Sequence, residues 1–247
     1  MPSIDVSAPA RRAIVRDAIG IGVATGAFGL SYGAIAVASG LSVIQTVALS
    51  LLMFTGASQF ALAGVVGAGG GAFASAATAV LLGTRNALYG LQLSALLRAR
   101  GPRRLLAAHL VIDESAAMAV AQHDPPRARV GFWATGVSVF VLWNLGSLIG
   151  AVGAGLLEDP NRFGLDVAGP AAFVALLAPR LRDRPTWIVA VLAAIAAIAS
   201  VPFVPAGMPV LVAAGIAAVA TFTRPATDPP APEPPVADPP AHEPEAG

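Results

Sequence analysis

The sequence predicts an all-α protein, a polytopic membrane helix bundle of seven to eight segments with broken or short helices. The chain of 247 residues is 56% hydrophobic and only 12% charged, whereas soluble domains carry about 25% charged residues. Three long runs, 18–84, 130–157 and 185–223, contain no Asp, Glu, Lys, Arg or His. A helix needs about 20 apolar residues to cross the hydrocarbon core, so these runs hold several crossings.

Composition and turn residues divide the chain into eight candidate segments. They are 18–39, 43–66, 72–97, 105–121, 130–156, 167–181, 186–201 and 209–222. Continuous Ala, Leu, Val and Gly runs favour helices over the strands of a membrane barrel, in which polar and apolar residues alternate. Three arginines precede the first segment, but the apolar run is too long for a cleavable signal. We therefore interpret segment one as the first membrane helix.

Three regions follow from this division: an N-terminal segment at 1–17, a membrane domain at 18–223 and a tail at 224–247. The tail holds nine prolines and five acidic residues, so it cannot bury a core and is predicted to be disordered. Arginine placement predicts that both termini are cytoplasmic. If segments one to three all cross, however, the basic stretch 98–104 lies outside. Either this stretch breaks the rule, or segment three or four does not fully span.

Small residues recur at helical spacing on segments one and five. Such spacing lets membrane helices approach closely and is interpreted as a packing signal. The glycines are Gly22, Gly26, Gly29 and Gly33 on segment one, and Gly146, Gly150 and Gly153 on segment five. Glycine or proline breaks in both halves are also typical of transporters that build a site from discontinuous helices.

Several function classes are excluded or disfavoured. The chain has no cysteine, which excludes disulfides, thiolate metal sites and cysteine nucleophiles. A net charge of +1 gives no nucleic-acid footprint. No metal, cofactor or ATPase motif is present. Gly29–Gly33 matches the G-x-S-x-G elbow of serine hydrolases, which with His109 as base would make an intramembrane protease. The match lies in an apolar helix, so we expect no enzyme.

Charged residues inside membrane segments are the first candidates for a site. Each costs about 2.5–3.5 kcal/mol on insertion scales and is usually functional. Arg85 lies halfway along segment three, and Asp113 and Glu114 lie midway along segment four. We expect Arg85 to pair with one of the two acids. The pair is either a structural ion pair or a substrate or proton site.

Polar residues near these charges complete the candidate site. Ser58 and Gln59 lie in the middle of segment two, where Gly56 weakens the helix, and Asn86 and Tyr89 follow Arg85. A neutral amide at this depth can bind a substrate or form an interhelical hydrogen bond. His109 and Asp113 are four residues apart, so on one helix they share a face and form either a proton relay or a structural pair.

The order of these motifs resembles a known family. Phe28-Gly29, Tyr32-Gly33 and Gly40-Leu41-Ser42 come first. The stretches 54–60 (FTGASQF), 84–90 (TRNALYG) and 112–115 (IDES) follow. Over about residues 10–223 the chain is similar to the AzlC family, the large subunit of branched-chain amino-acid exporters. It departs from the usual Asn-Leu-Arg-His at 83–86, where it keeps the Arg alone.

The resemblance implies a permease in the cell (inner) membrane that exports leucine, isoleucine, valine and methionine, driven by the proton motive force. It implies a small AzlD-type membrane partner, no cofactor and no metal. For a zwitterionic amino acid, Arg85 or helix N-terminal amides near 67–71 would hold the carboxylate. Asp113, Glu114 or Gln59 would hold the ammonium. A passive channel for a small neutral solute and a non-transporting membrane scaffold remain the alternatives.

Overall fold

The computed structural model describes residues 6–157, 183–205 and 208–222, together with the single positions 174, 177, 178 and 181. Every regular element in this part is an α-helix. The helices are α1 Ala8–Ala38, α2 Val43–Leu52, α3 Ala57–Gly67, α4 Ala72–Leu97, α5 Pro102–His109, α6 Asp113–Val120, α7 Pro125–Gly155, α8 Arg184–Ser200 and α9 Met208–Phe222. By length and composition, α1 and α7 are able to cross a bilayer, and four of the shorter helices are also apolar.

α1 and α7 form the most extensive helix pair, and they run in the same direction. A Cβ built on Gly26 would lie 3.0 Å from the carbonyl oxygen of Leu142, and one built on Gly33 would collide with the carbonyl oxygen of Ser147. The residue numbers rise together along both helices, so the helices are parallel. Only glycine permits this backbone-to-backbone approach. The glycine seam consists of Gly22, Gly26, Gly29, Gly33, Gly146 and Gly150.

α2 and α3 form a helical hairpin, hairpin 1. Ser42 begins α2 with a capping box: its hydroxyl accepts the Gln45 N–H, and the Gln45 side chain accepts the Ser42 N–H at 2.8 Å. The helix ends at Leu52, and the chain turns at Gly56, whose φ of 59° and ψ of −88° suit glycine. Gln59 Nε2 then donates to the Leu49 carbonyl at 3.0 Å, so the first turn of α3 lies next to the last turn of α2.

Both open ends of hairpin 1 lie at the C-terminal ends of α1 and α7. A Cβ on Gly67, the last residue of α3, would lie 2.9 Å from Ser39 Oγ. A Cβ on Gly155, the last residue of α7, would lie 3.2 Å from Val43 Cγ2 at the start of α2. Hairpin 1 therefore begins and ends on one side of the molecule, with its tip directed inward.

α5 and α6 form a second hairpin, hairpin 2, which begins and ends on the opposite side. A Cβ on Gly131 of α7 would lie 2.9 Å from Met118 Cγ, and one on Gly136 would lie 3.0 Å from Leu110 Cβ. α6 is therefore antiparallel to α7. Arg129 Nε donates to the last-turn carbonyl of Leu96 at 2.9 Å, so α4 ends beside the start of α7. Four residues connect α4 to α5 and four connect α6 to α7, which places both open ends of hairpin 2 there.

The two sides differ in charge. Basic residues gather where α1 and α7 begin, where α4 ends and where hairpin 2 opens. They are Arg11, Arg12, Arg16, Arg98, Arg100, Arg103, Arg104, Arg127 and Arg129. The connections on the other side, 39–42 and 68–71, carry no charge. Between residues 6 and 157 the remaining charges are Asp17 and Asp124 near the basic side, and three residues at mid-depth.

The predictions for segment two, segment four and Gly153 require correction. Segments two and four are not single helices: each is a pair of short helices that fold back because the chain breaks at 53–56 and at 110–112. Because hairpin 2 returns to its own side, the basic stretch 98–104 shares that side with the N-terminus and 127–129. Of the two alternatives, the structure favours the one in which segment four does not fully span. Segment two also folds back, which was not predicted. Gly153 was expected to pack closely, but nothing lies within 4 Å of its built Cβ.

Other boundaries agree more closely. Segment three is predicted at 72–97 and α4 has these bounds. α1 begins at Ala8 and α7 at Pro125, earlier than predicted, because each has proline in its first turn. α8 and α9 pack against each other and correspond to segments seven and eight. Segment six, apart from the four single positions, and the tail 224–247 lie outside the described residues.

Candidate functional site

A cavity of about 490 Å³ lies where the tips of both hairpins meet α1, α4 and α7. Apart from Leu177, its lining residues come from these elements. The lining residues are Thr25, Phe28, Phe54, Thr55, Gly56, Ala57, Phe60, Leu82, Arg85, Ile112, Asp113, Glu114, Val139, Trp143 and Leu177. The volume falls in the range of about 300–1,000 Å³ that is typical of small-molecule sites.

The charged wall of the cavity consists of Arg85, Asp113 and Glu114. Arg85 Nη1 and Asp113 Oδ2 lie 3.2 Å apart, and each side chain keeps about a quarter to a third of its surface exposed (27% and 31%). The pair links the middle of α4 to the tip of hairpin 2. Glu114 follows directly and also lines the cavity. The site therefore brings one guanidinium and two acidic side chains together at the centre of the bundle.

The break at 110–112 presents the two acids to the cavity. Ser115 is fully buried, and its hydroxyl donates to the Leu110 carbonyl at 2.6 Å and accepts the Ile112 N–H at 3.1 Å. This bridge holds the turn between α5 and α6. Asp113 and Glu114 then occupy the first turn of α6, where the positive end of the helix dipole favours carboxylates.

Aromatic and aliphatic side chains form the remaining walls. Trp143 stacks on Tyr32 with ring centroids 6.0 Å apart, and Phe60 meets both rings edge-on. The Tyr32 hydroxyl donates to the Thr46 carbonyl of hairpin 1. These contacts fix the Trp143 ring at the cavity wall. Phe28, Leu82 and Val139 complete a surface suited to an aliphatic group.

Ser58 and Gln59, predicted at the site, are fully buried behind the cavity wall. Ser58 faces α4, where a Cβ on Gly83 would lie 3.6 Å from its hydroxyl. Gln59 bonds to the Leu49 carbonyl within hairpin 1. Neither residue lines the cavity, although Gly56 and Ala57 immediately before them do.

The other predicted residues also lie away from the cavity lining. Asn86 and Tyr89 are half-buried on α4, and Tyr89 packs against the hydrophobic core. His109 ends α5, whereas Asp113 begins α6, so the expectation that they share a helix face is wrong. The His109 ring instead contacts Phe54 and Phe140. The amides near 67–71 lie at the open end of hairpin 1 and do not reach the cavity.

Several lining residues were not among the predicted site residues, chiefly Thr25, Phe28, Leu82, Val139 and Trp143. Trp143 carried a signal, because a large aromatic residue at mid-segment is unusual away from the membrane interfaces, and Phe28 belongs to the family motif Phe28-Gly29. The others are ordinary apolar or small residues whose role depends on the hairpin geometry. Within the described residues, no group of three or more His, Asp or Glu side chains could hold a metal ion.

Comparison with known proteins places the chain in a family. The family model described as "AzlC protein" matches residues 20–157, more than half of the chain. This range contains α1 from its fourth turn onward, both hairpins, α4 and α7, and thus nearly all of the cavity. Searches among curated proteins and among solved structures each found no match. The chain belongs to the AzlC family, whose role lies in membrane transport.

Proposed function

We propose that this protein exports branched-chain amino acids, namely leucine, isoleucine and valine, and also methionine, across the inner membrane. The observation that carries the proposal is the cavity at the tips of two broken helices, with charges on one wall and apolar groups on the others. Discontinuous helices that meet at mid-depth are typical of transporter binding sites. A zwitterion with an aliphatic side chain requires this division of polar and apolar surface.

The charged wall accommodates both ends of an amino acid. Arg85 would bind the substrate carboxylate, because a guanidinium offers paired donors to a carboxylate. Glu114 and Asp113 would bind the ammonium group. The first turn of α3, at Gly56 and Ala57, also faces the cavity and supplies backbone N–H groups that favour an anionic group. Phe28, Leu82 and Val139 would contact the branched side chain.

The membrane arrangement is part of the proposal. α1, α4 and α7 cross the bilayer, and the arginine-rich side faces the cytoplasm in accordance with the positive-inside rule. The N-terminus is then cytoplasmic. Three crossings leave the end of α7 on the opposite side, so a cytoplasmic C-terminus requires an odd number of crossings beyond α7, such as the three predicted segments six to eight. Export is driven by the proton motive force and requires a small AzlD-type membrane subunit.

Efflux of preloaded radiolabelled leucine from cells that lack their own exporters tests the proposal. The chain is expressed with and without the candidate small subunit, and as the Arg85→Ala and Asp113→Asn variants. Partner-dependent efflux that an uncoupler and both substitutions abolish supports the exporter. Efflux that persists in the presence of the uncoupler instead indicates a passive channel. Well-expressed protein that moves no leucine, valine or methionine overturns the proposal.

The protein is proposed not to be a hydrolase. Gly29–Gly33 lies within the continuous helix α1, so the strand, sharp turn and helix of a nucleophile elbow are not formed there. Ser31 is exposed on α1 and does not line the cavity. The Ser31→Ala variant is therefore expected to retain full leucine efflux, measured in the same cells.

A further inference from the structure

We propose that hairpins 1 and 2 are the two gates of this transporter, one on each side of the substrate cavity. This inference rests on the proposed transport function. Hairpin 1 controls the path from the cavity to the uncharged side, and hairpin 2 controls the path to the arginine-rich side. Three features carry the inference: opposite open ends, tips that meet at the cavity, and a fixed frame behind them.

The two hairpins enter the bundle from opposite sides, as the positions along α7 that they contact show. The start of hairpin 1 lies at Gly155, the last residue of α7, whereas the end of hairpin 2 precedes Pro125, its first residue. The two tips lie at intermediate depth: Phe54 contacts Phe140, and Leu110 contacts Gly136. A helix rises 1.5 Å per residue, so each tip lies about halfway along α7.

The tips touch each other as well as the cavity. The rings of Phe54 in hairpin 1 and His109 in hairpin 2 have centroids 6.0 Å apart. Phe140 of α7 contacts both, at 5.1 Å and 5.6 Å. Residues 54–57 of one hairpin and 112–114 of the other line the cavity. If one tip moves away from this aromatic contact, the cavity therefore opens toward the side from which that hairpin enters.

The frame behind the hairpins cannot take part in such a movement. α1 and α7 contact each other backbone to backbone along the glycine seam, and sliding would drive carbonyl groups into one another. The contact that joins hairpin 2 to α4, by contrast, is the Arg85–Asp113 ion pair. A substrate carboxylate competes with Asp113 for the same guanidinium. Substrate binding would thus release the tip of hairpin 2 from α4, while Leu110 stays packed on Gly136 of α7.

Cysteine labelling tests opposite placement independently of substrate. The chain contains no cysteine, so every introduced thiol is unique. In right-side-out and inside-out vesicles, a membrane-impermeant maleimide should label Gly69→Cys from one side and Gln122→Cys from the other. Labelling of both from the same side overturns the inference, whatever the protein transports.

Cross-linking tests the gates themselves. A reducible bifunctional thiol reagent that joins the two cysteines of the Phe54→Cys and His109→Cys double variant should reduce leucine efflux to background. Reduction should restore the efflux of the uncross-linked double variant. Each single variant, treated in parallel, is the control. Efflux that persists in the fully cross-linked protein overturns the gate assignment but leaves the export function intact.

A third measurement separates failure of the gates from failure of the proposed function. If the cysteine-free parent shows no leucine efflux, the export proposal is wrong. The gate proposal is then tested by labelling of Leu82→Cys in the cavity wall. Labelling of this thiol by the impermeant maleimide from each side supports two gates. Labelling from one side alone overturns them.

Discussion

The guanidinium of Arg85 and the carboxylate of Asp113 lie 3.2 Å apart at the wall of the cavity. Arg85 belongs to the continuous helix α4, and Asp113 belongs to the tip of hairpin 2. The pair therefore joins a fixed element to one that is proposed to move. An ion pair at this depth is costly to break by removal of one partner, because the other charge is left without compensation.

Exchange of the two charges should distinguish a role of the pair in substrate binding from a role in stabilising the fold. We expect Asp113→Asn to lower leucine efflux by about tenfold or more, the factor that about 1.4 kcal/mol represents. The double variant Arg85→Asp with Asp113→Arg should recover the amount of folded protein, measured by fluorescence-detected gel filtration, but not efflux. Recovery of both would instead indicate a purely structural pair. Asp17→Asn, in the exposed pair with Arg16, is the matched control and should leave efflux unchanged.

A larger side chain in the cavity wall should exclude the larger substrates. Leu82 lines the cavity, whereas its neighbour Leu81 is 44% exposed and does not. We expect Leu82→Trp to reduce leucine efflux by about tenfold or more, because a pocket discriminates by at least about tenfold for each lost methylene space. Leu81→Trp should behave as the parent. Equal effects of the two substitutions on leucine efflux would argue against the cavity as the substrate site.

One methyl group should disrupt the glycine seam. A Cβ on Gly150 would collide with the Leu30 carbonyl oxygen, whereas nothing lies within 4 Å of a Cβ on Gly153, three residues further along α7. Overpacking of this kind costs about 1–3 kcal/mol, so Gly150→Ala should lower the thermal unfolding temperature in detergent. Gly153→Ala should leave it unchanged or raise it, because alanine is the better helix former. Equal stability of the two variants would show that α1 and α7 are not in backbone contact.

Gln59 should matter for stability rather than for substrate binding. Its amide donates to the Leu49 carbonyl inside hairpin 1, and its side chain is fully buried away from the cavity lining. Gln59→Met keeps the volume and removes the hydrogen bond, which should cost about 0.5–1.5 kcal/mol. The KM for leucine should not change. Gln122→Met, which removes a longer bond to Met118 at the end of α6, is the control; a raised KM in Gln59→Met alone would return Gln59 to the site.

The sequence predicted the charges of the site better than its shape. Arg85, Asp113 and Glu114 were recognisable because charge is rare in apolar segments, and the structure brings all three to one cavity. The hairpins were not predicted, because an apolar run shows that a helix is buried in lipid but not whether the next helix continues or returns. The reversal depends on Gly56, on the Ser115 bridge and on contacts with α7. For Gln59 the sequence left substrate binding and an interhelical hydrogen bond open, and the structure shows the hydrogen bond, to a partner across the turn at 53–56.

The short limbs of hairpin 1 constrain how the protein is made. α2 and α3 have only ten and eleven residues, about half the length that crosses the hydrocarbon core. They cannot enter the bilayer separately as spanning helices. The glycine seam also requires α7, which emerges from the ribosome only after both hairpins and α4 have been synthesised. The glycine seam can therefore form only after α7 has been synthesised, and a nascent chain truncated before residue 125 would leave the α1 glycines without the backbone that they contact.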